Sequence, residues 1–413
     1  MQIGLDKRIA GTLFFLSSFL LFFCIGLDRF TTPFFYVSGA YAVWLLFVTI
    51  REHCLSAVPK TVFLPLLLVA YTALSPGLPF KDMPMADRML VTYLMGVSAA
   101  VFFGNTYWGL VLGMALSISG SLIGYIFTGF PEWMVFKGQL VLFFHHPSVL
   151  GASAAWCVIF IVTRWASFPG KWRFVAFAAA FLCAVALLLS VGRSAYLGAG
   201  LVCLFWACTF LKRHFLKIVV VSVCACVLAY TVLPAQQQER FWSAISDPFD
   251  DPTFKTRLPI WRVACSGIAE SPWFGNSARG FYEYHAKYLE EYGEELRREY
   301  PSVEPRIGHP HNLFLGILYA YGMVGILLWG ACFAPAVVQA YREKDVFFLS
   351  VLVFYFGYGM FEFSLHRKEG LLMLFFPLGL VYGRRLAAAL QGQTPADRQQ
   401  TGGGETEQDF RPA

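Results

Sequence analysis

Long apolar runs separated by short polar loops make up most of this chain. An α-helix needs about 20 mainly apolar residues to cross a hydrocarbon core of ~30 Å. The pattern predicts twelve spans, near 9–27, 33–50, 61–79, 89–104, 106–129, 148–166, 171–190, 194–211, 217–233, 313–340, 346–363 and 371–385. One long polar stretch, 234–311, interrupts them before the last three spans. The hydropathy pattern therefore predicts an all-α polytopic membrane protein with one long, mainly helical outer segment.

Composition supports the same class. Hydrophobic residues form 57% of the chain and charged residues only 14%, whereas soluble domains are roughly 25% charged. The ten cysteines are scattered and show neither a disulfide framework nor metal-ligand spacing. The net charge of +6 comes mostly from loops on one side of the membrane, so no nucleic-acid partner is expected.

The distribution of Lys and Arg predicts the orientation. Short loops on the side of the N-terminus hold fourteen of them, against seven in the short loops on the other side. Because cytoplasmic loops are enriched in Lys and Arg, both termini are expected in the cytoplasm. We expect nine transmembrane helices in 1–233, a periplasmic loop domain at 234–311, three more helices in 312–386 and a disordered cytoplasmic tail at 387–413.

Two helices are expected in the outer segment. One runs from about Thr253 to Glu270 and ends before Ser271-Pro272. The other runs from about Phe281 to Glu299, with tyrosines at four-residue spacing, which favours one helical face. Its clustered glutamates and arginines are more typical of a solvated face than of a site.

The motif His309-Pro310-His311-Asn312 is the strongest candidate for chemistry, because it lies where the polar segment meets an apolar run. Pro310 restricts the backbone, so the two imidazoles are expected near one another at the entry of a span. An imidazole with a pKa of ~6.5 can accept a proton at neutral pH. The alternatives are interfacial packing with helix capping by Asn312, and a metal site. Metal is the least favoured, since no further ligand has suitable spacing.

Several cations share the outer side with this motif. Arg193 occupies a tight turn at 190–194, where a guanidinium fork suits phosphate oxygens; its alternative role is to snorkel to the headgroups. Arg257 and Trp261 are one helical turn apart, an arrangement that cation–π packing also explains. The remaining cations predicted on this side include Lys81, Arg88, Arg279, Arg306, Arg367 and Lys368.

The predicted spans contain almost no ionisable residues, and Glu362, near the outer end of the 346–363 span, is the main exception. Ion-coupled transporters usually need such groups near the midplane. The pattern thus indicates chemistry at the outer face.

With these features, the chain resembles the bacterial O-antigen ligases, which belong to a superfamily that also includes O-antigen polymerases. The likeness rests on the twelve-span layout, the long outer loop, the His-Pro-His-Asn motif, and the Arg257…Trp261 stretch leading to Pro272-Trp273-Phe274-Gly275. Arg193 in its turn also resembles the outer-face arginine of the family.

The resemblance implies a GT-C-like fold and transfer of an O-antigen glycan from undecaprenyl pyrophosphate to a sugar hydroxyl of lipid A–core. The reaction is implied to be inverting and metal-independent, with no cofactor. Within it, His311 is expected to be the base, with His309 as the reserve, and Arg193 and Arg257 are expected to hold the pyrophosphate. Additional substrate contacts are expected from Arg88, His309, Asn312, Trp261, Arg279 and Arg306. The expected partners are the lipid-linked glycan, lipid A–core and membrane lipids of the bacterial inner membrane.

Two other functions stay open from sequence. An O-antigen polymerase would use the same donor but a second lipid-linked glycan as acceptor. A lipid-linked oligosaccharide flippase or transporter would move the donor without consuming an acceptor.

Overall fold

A computed structural model describes residues 2–25, 27–53, 58–74, 81–128, 135–136, 139–144, 146–209, 231, 238–239, 246, 252–300 and 303–392. The predicted span at 217–233, apart from position 231, lies outside these residues, as do most of 234–251 and the tail from 393 onward. In the ranges described, long helices account for nearly all regular structure.

The helices before the outer segment follow the predicted spans. They are α1 (Gln2–Phe23), α2 (Asp28–His53), α3 (Leu64–Ala73), α4 (Met83–Phe103), α5 (Trp108–Thr128), α6 (Pro147–Thr163), α7 (Gly170–Ser190) and α8 (Arg193–Thr209). A 3₁₀ turn, Lys60–Phe63, leads into α3. A hairpin of two-residue strands, β1 (Val135–Phe136) and β2 (Gln139–Leu140), lies between α5 and α6.

The outer segment and the late spans supply the remaining helices. They are α9 (Pro252–Lys255), α10 (Arg257–Glu270), α11 (Phe281–Glu299), α12 (Leu313–Arg342), α13 (Val346–Gly359) and α14 (Lys368–Leu390). The predicted outer helices are confirmed: α11 has the predicted bounds, and the first predicted helix divides at Thr256 into α9 and α10.

Six helices in the described part of the chain are long and apolar enough to cross a membrane. Shorter apolar helices accompany them at Lys60–Ala73, Pro147–Thr163 and Val346–Gly359. The predicted class, an all-α polytopic membrane protein, is confirmed. Two helix ends differ from the approximate predicted bounds: α13 ends at Gly359, against 363, and α14 continues to Leu390, against 385.

Helix α14 is the most buried of the long apolar helices, with 83% of its most apolar window inside the protein. Its glycines allow it to lie directly against α4. A Cβ on Gly96 would lie 2.2 Å from the carbonyl oxygen of Phe376, and one on Gly379 would lie 2.2 Å from that of Tyr93. Small residues at such crossings let membrane helices approach closely and pack by van der Waals contact.

Helix α12 is broken at Gly322, whose φ of 60° lies in the left-handed region. The outer-segment residues 272–277 fill the break with backbone hydrogen bonds. The amides of Met323 and Val324 donate to the carbonyls of Pro272 and Trp273, at 2.9 and 3.0 Å. Since freed backbone groups must find partners at membrane depth, this pairing both stabilises the break and attaches the outer segment to α12.

A cluster of one carboxylate and two guanidinium groups joins the end of α6, the start of α13 and the last turns of α14. Arg164 Nη2 lies 2.7 Å from Asp345 Oδ1, and Arg384 contacts the second oxygen of the same carboxylate. Because the chain reverses between α13 and α14, this cluster and the loops that open α6, α12 and α14 lie at opposite ends of the bundle.

Candidate functional site

The His309–Asn312 motif forms a sharp corner at the start of α12. The Asn312 Oδ1 accepts hydrogen bonds from the amides of Phe314 and Leu315, both at 3.0 Å, and Nδ2 donates to the carbonyl of Met360. Asn312 is therefore the N-cap of α12. This matches the capping alternative, and the predicted role of Asn312 as a substrate ligand stays a prediction.

His311 has a φ of 50°, in a region that few residues other than glycine adopt. Backbone strain of this kind costs about 1–3 kcal/mol and is found mainly at functional sites. The His311 amide faces Nδ1 of His309 at 3.4 Å, and the two rings lie 4.2 Å apart between centroids. The proximity predicted for the two imidazoles is confirmed.

Helix α10 approaches this corner from the outer segment. The Trp261 indole donates from Nε1 to the carbonyl of Pro310 at 3.0 Å. The Arg257 guanidinium lies 5.6 Å from the centroid of the Phe361 ring, so the cation–π contact expected as an alternative for Arg257 is made with Phe361. One turn of α10 therefore contacts both the His-Pro-His corner and the loop that follows α13.

A cavity of about 90 Å³ opens beside the two imidazoles. Three parts of the chain line it, namely the start of α6, the 309–311 corner and the loop between α13 and α14. The lining residues are His146, Ser148, Val149, His309, His311, Tyr358, Glu362, Ser364, His366 and Arg367. The cavity therefore combines four imidazoles with one carboxylate and one guanidinium.

Glu362 is the buried acidic group of this cavity, with its side chain 8% exposed. Its Oε1 lies 3.8 Å from Nδ1 of His311, whose side chain is 29% exposed. That separation is too long for a hydrogen bond, and it would make an ion pair only with a protonated His311. In the described structure, His311 Nδ1 is buried and has no hydrogen-bond partner.

Burial keeps the imidazoles neutral. Desolvation lowers the pKa of His311; Arg257 also lowers it, while Glu362 opposes the shift. Desolvation, the neighbouring imidazoles and Arg367 lower the pKa of His309 well below its usual range. Although part of the His366 side chain is accessible, desolvation and Arg367 lower its pKa to about 4. A neutral imidazole near pH 7 can accept a proton, as a general base must.

Hydrogen bonds fix the orientation of two further imidazoles. His366 has Nδ1 at 2.6 Å from the carbonyl of Phe363, while Nε2 accepts from Arg367 at 3.3 Å. His146 caps α6 by accepting from the Ser148 amide at 3.3 Å. Both residues line the cavity, and the His366 ring stacks on that of His309 with 4.6 Å between the centroids.

Arg193 begins α8 directly after Gly192 and is half-buried. A Cβ on Gly192 would lie 3.4 Å from both the carbonyl oxygen of Pro147 and the Cα of Ser148. Ser148 lines the cavity, so the turn that carries Arg193 packs against the cavity wall. Whether its guanidinium holds a phosphate stays a prediction.

The other predicted substrate residues occupy different places. Arg88 is half-buried and donates to the carbonyl of His366 at 3.3 Å, which supports the cavity loop from outside. Arg279 is exposed; its backbone amide donates to Asp82 at 3.1 Å. Arg306 is exposed on the segment leading to the corner. None of these three lines the cavity, and their predicted role as substrate ligands stays a prediction.

Three groups in the cavity could hold a metal ion. Ligand atoms of His309, His311 and Glu362 all lie within 4.8 Å of one another, and two imidazoles with a carboxylate are a donor set that zinc accepts. The sequence did not predict this third ligand, because Glu362 is 51 residues after His311 and forms no local motif with it. The expectation of metal-independent chemistry stays a prediction.

Sequence reasoning did not include Glu362, Arg367, His146 and His366 among the site residues. The sequence did single out Glu362 as the main ionisable residue within a predicted span, and it predicted Arg367 on the outer side. Their convergence depends on how α6, α12 and α13 pack, and no local pattern encodes that packing.

Comparison with known proteins gives two matches. Residues 178–330 match the family model described as O-antigen ligase. An O-antigen ligase of Pseudomonas aeruginosa is 30% identical over 148 residues, covering 33% of each chain. The match thus spans about a third of the length of that curated relative. Arg193, Arg257, Trp261 and the His309–Asn312 motif lie within the family match, whereas Glu362 and Arg367 lie beyond it.

Proposed function

We propose that this chain, which the two matches support as a member of the O-antigen ligase/polymerase superfamily, is an O-antigen ligase. It transfers a glycan from undecaprenyl pyrophosphate to a sugar hydroxyl of lipid A–core. The reaction takes place at the periplasmic face of the bacterial inner membrane, with both termini in the cytoplasm. The excess of Lys and Arg in the loops of the opposite side supports this orientation.

One observation carries the proposal. The Arg257 guanidinium of the outer segment acts electrostatically on the His311 imidazole, and His311 shares a cavity with the Arg367 guanidinium at the end of the bundle where α12 and α14 begin. A cation and a base at a membrane boundary fit a reaction in which a lipid-linked anion leaves while a hydroxyl attacks. Scattered positions for these groups would have removed the physical basis for the proposal.

His311 is the proposed base. The acceptor oxygen forms a bond to the anomeric carbon of the donor while its proton moves to His311. At the same time the bond from that carbon to the pyrophosphate oxygen breaks, and undecaprenyl pyrophosphate leaves with the electron pair. Attack from the face opposite the leaving group inverts the anomeric centre. General base catalysis of this kind typically contributes about 10²–10⁴ in rate.

Arg257 and Arg193 are the proposed pyrophosphate ligands. Pyrophosphate is already a good leaving group, so the site must stabilise developing negative charge more than it must supply an acid. A guanidinium does this with a planar pair of donors that fits phosphate oxygens. Two observations support this role: Arg257 on α10 acts electrostatically on His311, and Arg193 is on the turn that packs against Pro147 and Ser148.

The deciding experiment uses full-length protein in proteoliposomes with lipid-linked O-antigen and purified lipid A–core. Wild type should produce capped lipopolysaccharide, and His311→Ala should abolish it while the protein stays inserted in the membrane. His311→Asn is the matched variant, since Asn tolerates the left-handed backbone but cannot act as a base. Near-normal capping by either variant removes His311 from the mechanism.

The same assay separates the alternatives. A polymerase would lengthen the lipid-linked donor and leave lipid A–core uncapped. A flippase would move the donor across the bilayer without consuming an acceptor. Either product pattern from wild type contradicts the ligase proposal.

A further inference from the structure

Glu362 is a buried carboxylate next to the proposed base, in the part of the chain beyond the family match. It lies on the loop that connects α13 to α14, two residues after Met360, whose carbonyl accepts from Asn312. The cap of α12 therefore connects this loop to the His-Pro-His corner. This connection fixes the height of Glu362 relative to His311.

We propose that Glu362 is the positioning residue for His311, holding its imidazole through Nδ1 so that Nε2 receives the acceptor proton. The inference rests on the proposed function and names the group that makes His311 an effective base. Glu362 itself does not touch the substrate.

The geometry favours this division of roles. Oε1 of Glu362 faces Nδ1 of His311 at 3.8 Å, and that nitrogen has no hydrogen-bond partner in the described structure. Hydrogen bonds between catalytic groups are often long before substrate binds and shorten in the reacting complex. With Nδ1 directed at the carboxylate, Nε2 is the ring nitrogen available to a hydroxyl.

Burial argues against Glu362 as the base. Its side chain is 8% exposed, against 29% for His311, so the imidazole is the more accessible of the two. The carboxylate also accepts a hydrogen bond from the Phe363 amide at 3.2 Å. A sugar hydroxyl therefore reaches His311 more readily than Glu362.

Glu362 is expected to stabilise the positive charge that forms on His311 during proton transfer. When the acceptor proton moves to Nε2, the positive charge that forms on the ring lies beside the Glu362 carboxyl group. Glu362 faces the proton-accepting imidazole as the acidic member of a Ser-His-Asp triad does. The other charged groups that act on His311 are Arg257, which disfavours its protonated form, and the exposed Glu304, which favours it. His146, His309 and His366 are further imidazoles at the cavity, and Arg367 is its guanidinium.

The test compares Glu362→Gln with wild type as full-length protein in proteoliposomes, at saturating donor and across pH. We expect kcat to fall about 10²–10⁴-fold, as for loss of a group that supports a general base, with the donor KM unchanged. Because the carboxylate favours protonated His311, its removal should move the acid limb of the rate profile to lower pH. Glu304→Gln is the matched control and should leave kcat within about threefold.

The proposal is overturned if Glu362→Gln folds normally by size-exclusion chromatography and its acid limb stays at the wild-type pH. If that variant does not fold, Glu362→Asp decides. This variant keeps a carboxyl group but holds it farther from His311. We therefore expect a lower kcat with the acid limb at its wild-type pH. An unchanged kcat overturns the inference. If wild type lengthens the donor instead of capping lipid A–core, the ligase proposal fails, and the same pH comparison on chain elongation still tests Glu362.

Discussion

The Trp261 indole nitrogen donates a hydrogen bond to the Pro310 carbonyl oxygen at 3.0 Å, across 49 positions of sequence. This bond connects the outer helix α10 to the corner that carries both imidazoles. Since Arg257 is on the same turn of α10, the bond also sets the position of its guanidinium relative to His311, the proposed base.

Replacing Trp261 with Phe should loosen this corner. The variant keeps an aromatic ring against Phe361 but loses one hydrogen bond, worth about 0.5–1.5 kcal/mol of unfolding free energy. We expect a reduced capping rate and a lower thermal unfolding midpoint in detergent. Trp273→Phe is the control, because that indole is 63% exposed. Equal rates for the two variants would contradict the role given to this bond.

Arg257 should show the geometry of a phosphate ligand. Arg257→Ala is expected to lower kcat/KM about 10²–10³-fold, the typical cost of losing one donor to a developing negative charge. Arg257→Lys should recover only part of this, since an ammonium lacks the planar fork. Arg262, five residues further along α10, is paired with Glu295 and Glu299 and provides the matched control. Full activity of Arg257→Lys would refute a bidentate contact.

The rate should be insensitive to pH around neutrality and fall on acidification. Burial lowers the pKa of His311 below its usual value of ~6.5, so the imidazole is neutral at pH 7 and becomes protonated only at lower pH. Because the base must be neutral, kcat should decline below about pH 6.5 and remain constant just above it. A decline that begins above pH 7 would show that another group controls the rate.

Gly322 should not tolerate a side chain. Its φ of 60° strains any L-residue, and a Cβ there would lie 2.4 Å from the backbone carbonyl of Trp273. Gly322→Ala should therefore disrupt the contact between α12 and the outer segment and lower the yield of folded protein. Gly330→Ala, on the same helix with nothing within 4 Å of the added carbon, is the control. Similar unfolding midpoints for both variants would contradict this account of the break.

Chelation tests the expectation of metal-independent transfer. Incubation with EDTA followed by gel filtration should leave the capping rate unchanged, because Arg257 and Arg193 are proposed to balance the pyrophosphate charge. His309, His311 and Glu362 could bind added zinc, and such binding would block the base, so micromolar zinc should inhibit. His309→Gln should weaken that inhibition. Loss of activity on chelation, restored by one metal, would overturn the metal-independent mechanism.

Hydropathy determined most of the helical layout, because crossing a membrane imposes a length and a composition on each segment. Every predicted span apart from 217–233 falls on a described helix, and α11 begins and ends at the predicted residues. The corner at His309–Asn312 was also evident locally, since a proline and a capping asparagine precede an apolar run. These features depend on residues close together in sequence.

The tertiary structure decided which side chains share the cavity. His146, His311 and Glu362 come from three loops, and their meeting depends on how α6, α12 and α13 pack in the bundle. Hydropathy specifies that a helix crosses the membrane but does not specify its neighbours, because lipid and protein surfaces are both apolar. The choice of neighbours comes from close packing, as where Gly96 and Gly379 bring α4 against α14. Sequence alone therefore suggested His311 and Arg257 as candidates, while the fold added the Glu362 carboxylate beside the His311 imidazole.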